Sequence, residues 1–190
     1  MADAETRFEE IYDQYSGLIL AYAARRTADA QDAADIVADT YVVAWRRIKE
    51  VPAGEDARPW LYGVARLVLA NHHRAKRRRQ GLDERLAIDV SELIGDAAID
   101  ADVDRTAIAA AFAELSECDR ELLTLVGWDD LDRDEVAVII GCTRATVRLR
   151  LHRARKRFEQ ALNKHGMKRS SATGHGPSRW ANARPGSEDM

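Results

Sequence analysis

The chain has 190 residues and a formal net charge of −3, with 29 Lys and Arg against 32 Asp and Glu. This length fits one or two small domains. Its two cysteines, Cys118 and Cys142, form no CxxC pair and no Cys/His cluster has zinc spacing, so we expect no metal site, no disulfide and a reducing, cytoplasmic location. There is no signal-peptide pattern and no run of about 18 apolar residues, which predicts that nothing inserts into a membrane.

Apolar residues recur at steps of three and four along the N-terminal half and predict three amphipathic helices. We place these helices at residues 6–25, 30–49 and 60–78. Residues 49–59 contain one glycine and two prolines and are predicted to form a loop. The third helix becomes basic toward its C-terminal end, since residues 72–79 read His-His-Arg-Ala-Lys-Arg-Arg-Arg.

The middle of the chain breaks this pattern. Residues 83–104 contain eight acidic residues and one arginine, and we interpret 81–104 as an acidic linker. Helical periodicity resumes at 105–117 and 119–128. The last 25 residues, 166–190, lack periodicity and are predicted to be disordered.

The stretch from residue 133 to about 164 has the features of a helix-turn-helix. A short helix at 133–140 ends at Gly141, where a positive φ costs little, and Thr143 can cap the next helix. That helix carries an apolar stripe, formed by Val147, Leu151, Ala154, Phe158 and Leu162. Its arginines project elsewhere, at positions 148, 150, 153, 155 and 157. Such a helix can sit in a DNA major groove, and the alternative is a solvated, arginine-rich surface helix.

These elements predict an all-α fold of two small helical domains, 1–80 and 105–165, joined by the acidic linker. A basic patch falls near the C-terminal end of each domain, and residues 144–169 contain ten Lys and Arg against one Glu. Two DNA-contacting modules on one chain predict recognition of two separated sites on one duplex, because the tether raises their effective concentration. The linker itself can alternatively be a solubilising spacer.

Three acidic residues of the second predicted helix share one face. Asp32, Asp35 and Asp39 are spaced i, i+3 and i+7, and lie beside Ile36. This face suits a basic partner helix. The alternative, acids favoured in the first turn by the helix dipole, accounts for Asp32 but not for Asp39.

Four stretches together resemble the extracytoplasmic-function (ECF) sigma factors of bacterial RNA polymerase. Residues 32–45 resemble the segment that docks on the polymerase clamp, and residues 58–66 resemble the start of the helix that reads the minus-ten element. Residues 115–123 resemble the entrance to the family's C-terminal domain. Thr146-Val147-Arg148 and residues 150–155 resemble the reader of the minus-thirty-five element. The resemblance covers about residues 6–163, in the family's order.

The resemblance implies a promoter-specificity subunit with no catalytic activity and no cofactor. Its partners would be promoter DNA, an anti-sigma factor and core polymerase, through the clamp of the largest subunit and the flap of the second-largest. The residues implied at the clamp are Asp32, Asp35, Ile36 and Asp39. Those implied at the minus-ten element are Asn71, His72, Arg74, Lys76, Arg77 and Arg78. Those implied at the minus-thirty-five element are Thr143, Arg144, Arg148, Leu149, His152 and Arg153.

The chain departs from the family at Leu67, where the family often has asparagine, and this leaves the preferred base of the minus-ten element open. Two other classes of protein compete with the sigma factor. An ordinary helix-turn-helix repressor or activator needs only one reading helix per protomer, so the second basic helix and the acidic face argue against it. An enzyme is disfavoured because the sequence has no glycine-rich phosphate loop, nucleophile elbow or paired-carboxylate site.

Overall fold

The computed structural model describes residues 2–80 and 105–165, and every regular element within these two ranges is helical. Three long helices and one turn of 3-10 helix form the first range, which we call the N-terminal module: α1 Ala2–Ala24, α2 Ala30–Arg46, the 3-10 turn Gly54–Asp56 and α3 Ala57–Gln80. Four helices form the second range, the C-terminal module: α4 Arg105–Ala113, α5 Glu117–Gly127, α6 Arg133–Ile140 and α7 Arg144–Lys164. The all-α prediction is confirmed. The predicted linker and tail lie outside the described residues.

The starts of the later helices are set by side-chain caps. Ser116 and Thr143 accept hydrogen bonds from the backbone N–H groups of the first turns of α5 and α7. Asp132 and Glu135 form a reciprocal capping box at the start of α6. Gly141 ends α6 with φ of +72°, a left-handed conformation that only glycine adopts without a steric penalty. Turn and caps therefore match the helix-turn-helix prediction.

Several helix ends differ from the predicted ones by three or four residues. Helix α3 begins at Ala57 rather than at residue 60, because Pro59 occupies its first turn, where a proline needs no backbone N–H. Helix α2 ends at Arg46 rather than at residue 49. Helix α4 ends at Ala113 rather than at residue 117, because Ser116 already caps the next helix.

The core of the N-terminal module lies between its three helices. Ile19, Tyr22, Ile36 and Leu61 are at most 1% exposed, and the Tyr22 and Tyr62 rings pack edge to face with centroids 5.3 Å apart. Burying four large side chains of this kind stabilises the module by several kcal/mol, since each contributes roughly 1.5–3 kcal/mol. Among α1 to α7, no helix combines the length and the apolar composition needed to cross a membrane.

The C-terminal module has a smaller core of its own around Phe112. The Phe112 ring packs edge to face on Trp128 and Phe158, with centroids 5.7 and 5.4 Å away, and Leu123 and Leu151 complete the cluster. Leu151, Ala154 and Phe158 of the α7 apolar stripe pack in this core, as their three- and four-residue spacing predicts.

The two modules pack against each other through a continuous apolar cluster. Six buried residues of the C-terminal module join the cluster formed by α1 to α3, namely Leu122, Leu125, Leu131, Val136, Ile139 and Val147. Helix α6 lies against α3. The periodicity predicts two helical domains on a tether, but it does not reveal that they share this core.

Candidate nucleic-acid and protein interfaces

The exposed face of α7 carries all the residues predicted to read the upstream DNA element. Arg148, Leu149, His152 and Arg153 are exposed on this helix, whereas Val147, Leu151 and Ala154 are buried on its other side. Thr143 and Arg144 are also exposed at its N-terminal end. The six predicted residues thus lie together on the solvent-exposed side of α7 and at its N-terminal end, while the opposite face of the helix is packed in the core.

Two other arginines of α7, Arg155 and Arg157, have different surroundings from the predicted reading residues. Arg157 donates hydrogen bonds of 2.8 and 2.9 Å to the carboxylate of Asp119, which is buried. Arg155 is half-buried, and desolvation together with the nearby Arg133 lowers the pKa of its guanidinium. Arg157 is therefore already paired within the module although its side chain is 56% exposed, and Arg155 is partly desolvated.

The basic half of α3 divides into an exposed face and a face turned toward α2. Asn71, Arg74 and Arg78 are exposed, and Arg74 donates a 2.6 Å hydrogen bond to the side-chain oxygen of Asn71. His72 and Lys76 instead approach the carboxylate of Asp32 on α2, at 3.2 and 2.9 Å. Of the predicted DNA-binding residues of α3, Asn71, Arg74 and Arg78 therefore form the exposed face. Of Arg77 the structure describes only its backbone position on α3.

The acidic face of α2 is likewise split. The hydrogen bond from Lys76, assisted by the neighbouring His72, lowers the pKa of the Asp32 carboxyl. Asp35 and Asp39 are exposed. Ile36 is only 1% exposed and belongs to the core, so the expectation that its side chain contacts the polymerase is corrected: the residue holds α2 in place beneath the acidic face.

An open groove between α2 and α3 connects the acidic face to the basic one. Its lining includes Asp39 and Val42 on one side and Asn71, Arg74 and Arg78 on the other. The Val42 side chain is 45% exposed. The sequence does not identify it as a surface residue, because it is adjacent to other apolar residues of α2. The structure therefore places the predicted polymerase surface and the predicted DNA surface side by side.

A buried ion cluster joins the end of α1 to the loop between α5 and α6. The side chain of Asp129 is fully buried and contacts Arg25 and Arg26, with Arg26 Nη2 at 3.1 Å. The Arg26 guanidinium also lies 3.8 Å above the centre of the Tyr22 ring and donates to the Tyr22 carbonyl at 3.0 Å. Because these charges are paired, their burial is compensated, and removal of either partner would leave a buried charge unpaired.

Two further arginines, both on α3, extend this contact. Arg58 donates to the Asp129 carbonyl at 2.7 Å and approaches the Glu135 carboxylate at 3.2 Å. Arg66 donates hydrogen bonds to both carboxylate oxygens of Glu121, at 2.7 and 3.3 Å. This hydrogen bonding raises the pKa of the Arg66 guanidinium. Sequence patterns could not reveal these pairs, because the partners are 55 to 77 residues apart in the chain.

Comparisons with known proteins match the two modules separately. Residues 11–79 match the family model described as Sigma-70 region 2, and residues 105–158 match the model described as Sigma-70, region 4. The ECF RNA polymerase sigma factor SigL of Mycobacterium tuberculosis is 30% identical over 162 residues, which cover 84% of this chain and 90% of SigL. The RNA polymerase sigma-H factor of Pseudomonas aeruginosa is 27% identical over 165 residues, covering 82% and 86% of the two chains.

Solved structures of sigma factors have the same fold. The sigma factor RpoE of Bartonella quintana, crystallised with the anti-sigma factor NepR, superimposes with a TM-score of 0.62 at 25% identity, covering 82% of this chain and 96% of RpoE. The sigma factor CnrH, solved with the cytosolic domain of CnrY, gives a TM-score of 0.59 at 19% identity, covering 83% and 88%, a likeness of fold alone.

Proposed function

The chain belongs to the extracytoplasmic-function sigma factors of the sigma-70 family, and we propose that its two modules divide promoter recognition between them. As an alternative sigma factor it binds core RNA polymerase and directs promoter-specific initiation. Helix α7 of the C-terminal module reads the minus-thirty-five element, and α3 of the N-terminal module lies along the minus-ten element. The observation that supports this assignment is that each module exposes basic residues on one helix whose apolar side chains are packed in a core.

On α7, the residues that reach base edges are those on its exposed N-terminal half. Arg148 lies one turn into the helix, with its side chain exposed. An arginine in the major groove can hold guanine O6 and N7 together, which contributes about 1–3 kcal/mol of base discrimination. Arg153 lies five residues further along α7, about 1.4 turns, and Leu149 and His152 lie between the two arginines.

Replacing Arg148 by alanine is expected to reduce the preference for the upstream element about tenfold. This factor corresponds to about 1.4 kcal/mol, within the range of about 1–3 kcal/mol for one bidentate base contact. The measurement is transcription in vitro from a promoter with its upstream element intact, compared with the same promoter carrying a scrambled upstream element. The wild-type chain should prefer the intact promoter strongly, and the variant only weakly.

The matched control for Arg148 is Lys156→Ala, which removes one exposed charge from the same helix outside the proposed reading set. This control should retain the preference for the intact element. If Arg148→Ala kept the same preference as wild type, the assignment of α7 as the upstream reader would be wrong.

On α2, the exposed carboxylates of Asp35 and Asp39 form the surface for the clamp coiled coil of the largest polymerase subunit. Val42 adds an apolar contact next to them, at the edge of the groove shared with α3. Because this groove leads directly to Asn71 and Arg74, clamp binding would place the α3 basic face beside the DNA at the point where the duplex opens.

An anti-sigma factor is the regulatory partner that we propose for this chain. RpoE of Bartonella quintana was solved with the anti-sigma factor NepR, and the shared fold covers 82% of the present chain and 96% of RpoE. A protein of this kind would act by holding the sigma factor away from core polymerase.

The packed arrangement of the modules must open when both promoter elements are read. The elements are centred about 25 base pairs apart, which is about 85 Å at 3.4 Å per base pair. A packed body of this size has a radius of gyration of about 15 Å, so its two reading helices cannot reach both elements at once. Twenty-four residues connect the two modules, and a chain of that length spans at most about 79–86 Å, which is comparable with the distance between the elements.

A further inference from the structure

Helix α3 carries an arginine whose guanidinium is held by the C-terminal module although it lies close to the proposed DNA face. Arg66 makes a two-pronged contact with Glu121, with distances of 2.7 and 3.3 Å. The pair lies at the margin of the contact between the modules, with the two side chains 35% and 20% exposed. Both groups therefore remain within reach of a competing charge from solvent.

The position of Arg66 on the helix points to what that competitor is. Arg66 and Arg74 are separated by eight residues, which corresponds to about 12 Å along an α-helix and about 80° around it. Arg66 thus borders the exposed face formed by Asn71, Arg74 and Arg78. An arginine fork binds a phosphate with the same geometry as a carboxylate, because both offer two oxygens in one plane.

We propose that Glu121 stands in for a DNA phosphate: it occupies Arg66 while the modules are packed, and promoter DNA takes its place when they separate. Packing of the modules and DNA binding then compete for one guanidinium group. The ligand is the phosphate backbone, so the contact adds affinity without base preference. This inference depends on the proposed DNA role of α3.

Two substitutions break the same ion pair but leave opposite partners behind. Glu121→Gln frees Arg66, whereas Arg66→Gln frees Glu121. Each variant loses the same contact between the modules. Both variants therefore share any loosening of the packed modules and any resulting exposure of α7. The two variants then differ in whether the Arg66 guanidinium is present and free to bind a phosphate.

The test is binding of the full chain to a short fluorescent DNA duplex of arbitrary sequence, measured by anisotropy over a series of salt concentrations. Glu121→Gln is expected to bind about three- to tenfold more tightly than Arg66→Gln, since it keeps one phosphate contact that the other lacks. The slope of log affinity against log salt should also be steeper for Glu121→Gln by about 0.9, the value for one phosphate.

A second pair of variants corrects for overall charge. Lys164 and Glu114 form an exposed ion pair within the C-terminal module, with N and O 3.0 Å apart. Glu114 also contacts His165 Nε2 at 2.9 Å. The difference in affinity between Glu114→Gln and Lys164→Gln reports the same change of net charge at exposed positions, and it is subtracted from the difference between Glu121→Gln and Arg66→Gln.

Equal corrected affinities and equal salt slopes for Glu121→Gln and Arg66→Gln would overturn the proposal. Arg74→Gln then separates this failure from a failure of the proposed function. If Arg74→Gln weakens DNA binding while the other two variants are equal, α3 binds DNA without Arg66. If Arg74→Gln also has no effect, the assignment of α3 to DNA fails as well. Circular dichroism confirms in each case that the helices remain folded.

Discussion

Replacing Asp129 by alanine is expected to lower the free energy of unfolding by about 3–5 kcal/mol, the cost of leaving a buried charge without its partner. The Asp129 side chain is fully buried between Arg25 and Arg26, and the Arg26 side chain is only 6% exposed. Without the carboxylate, the Arg26 guanidinium keeps its cost of desolvation and loses the charge that compensates it. The neighbouring Tyr22 ring offsets only part of that loss, about 1–2 kcal/mol.

Urea unfolding followed by tryptophan fluorescence measures this effect. The control is Glu50→Ala, which breaks the exposed Arg47–Glu50 pair at the surface of the N-terminal module and should leave the unfolding midpoint unchanged. A second variant, Asp129→Asn, keeps the shape of the side chain and should fall between wild type and Asp129→Ala. An Asp129→Ala chain as stable as wild type would mean that the two modules are not held together through this cluster.

Reversing the charges of Asp35 and Asp39 together is expected to weaken binding to core RNA polymerase at least about 100-fold. Two lysines would then face the basic partner surface, and juxtaposed like charges cost several kcal/mol at an interface, each 1.4 kcal/mol being a factor of ten. The fold should be spared, because both side chains are exposed and the hydrogen bond that Asp35 accepts from Gln31 lies at the surface.

Binding of a labelled chain to core polymerase measures this loss, and thermal unfolding checks that the variant is folded. The matched control is Glu9→Lys with Asp13→Lys, which makes the same change of net charge at two exposed positions of α1. The control should bind core polymerase as wild type does. If the variant at positions 35 and 39 did so too, the clamp surface would lie elsewhere.

The sequence predicts the helical periodicity and the helix-turn-helix well, because both depend on local chemistry. The left-handed conformation of Gly141 and the cap at Thr143 depend on only a few neighbouring residues, so both can be predicted from the local sequence. The buried side of α7 follows equally from the spacing of its apolar residues. Helix ends are less accurate, since Pro59 is compatible with either a loop or a first turn.

The sequence could not predict which charges are already paired. Asp32 and Asp35 look alike in the pattern, yet Asp32 lies against Lys76 while Asp35 faces solvent. Ile36 looks like part of an interaction surface because it is adjacent to Asp35, but a helix turns about 100° per residue and directs it into the core. These distinctions depend on how α2, α3 and the C-terminal module pack together, and the sequence of one helix does not contain that information.

Transcription in vitro tests most directly whether this chain directs promoter-specific initiation. Core RNA polymerase is incubated with a library of genomic fragments, with and without the chain, and the 5′ ends of the transcripts are mapped. We predict a set of start sites that appears only when the chain is added, each preceded by two shared sequence elements about 25 base pairs apart. Start sites that are the same with and without the chain would contradict its role as a sigma factor.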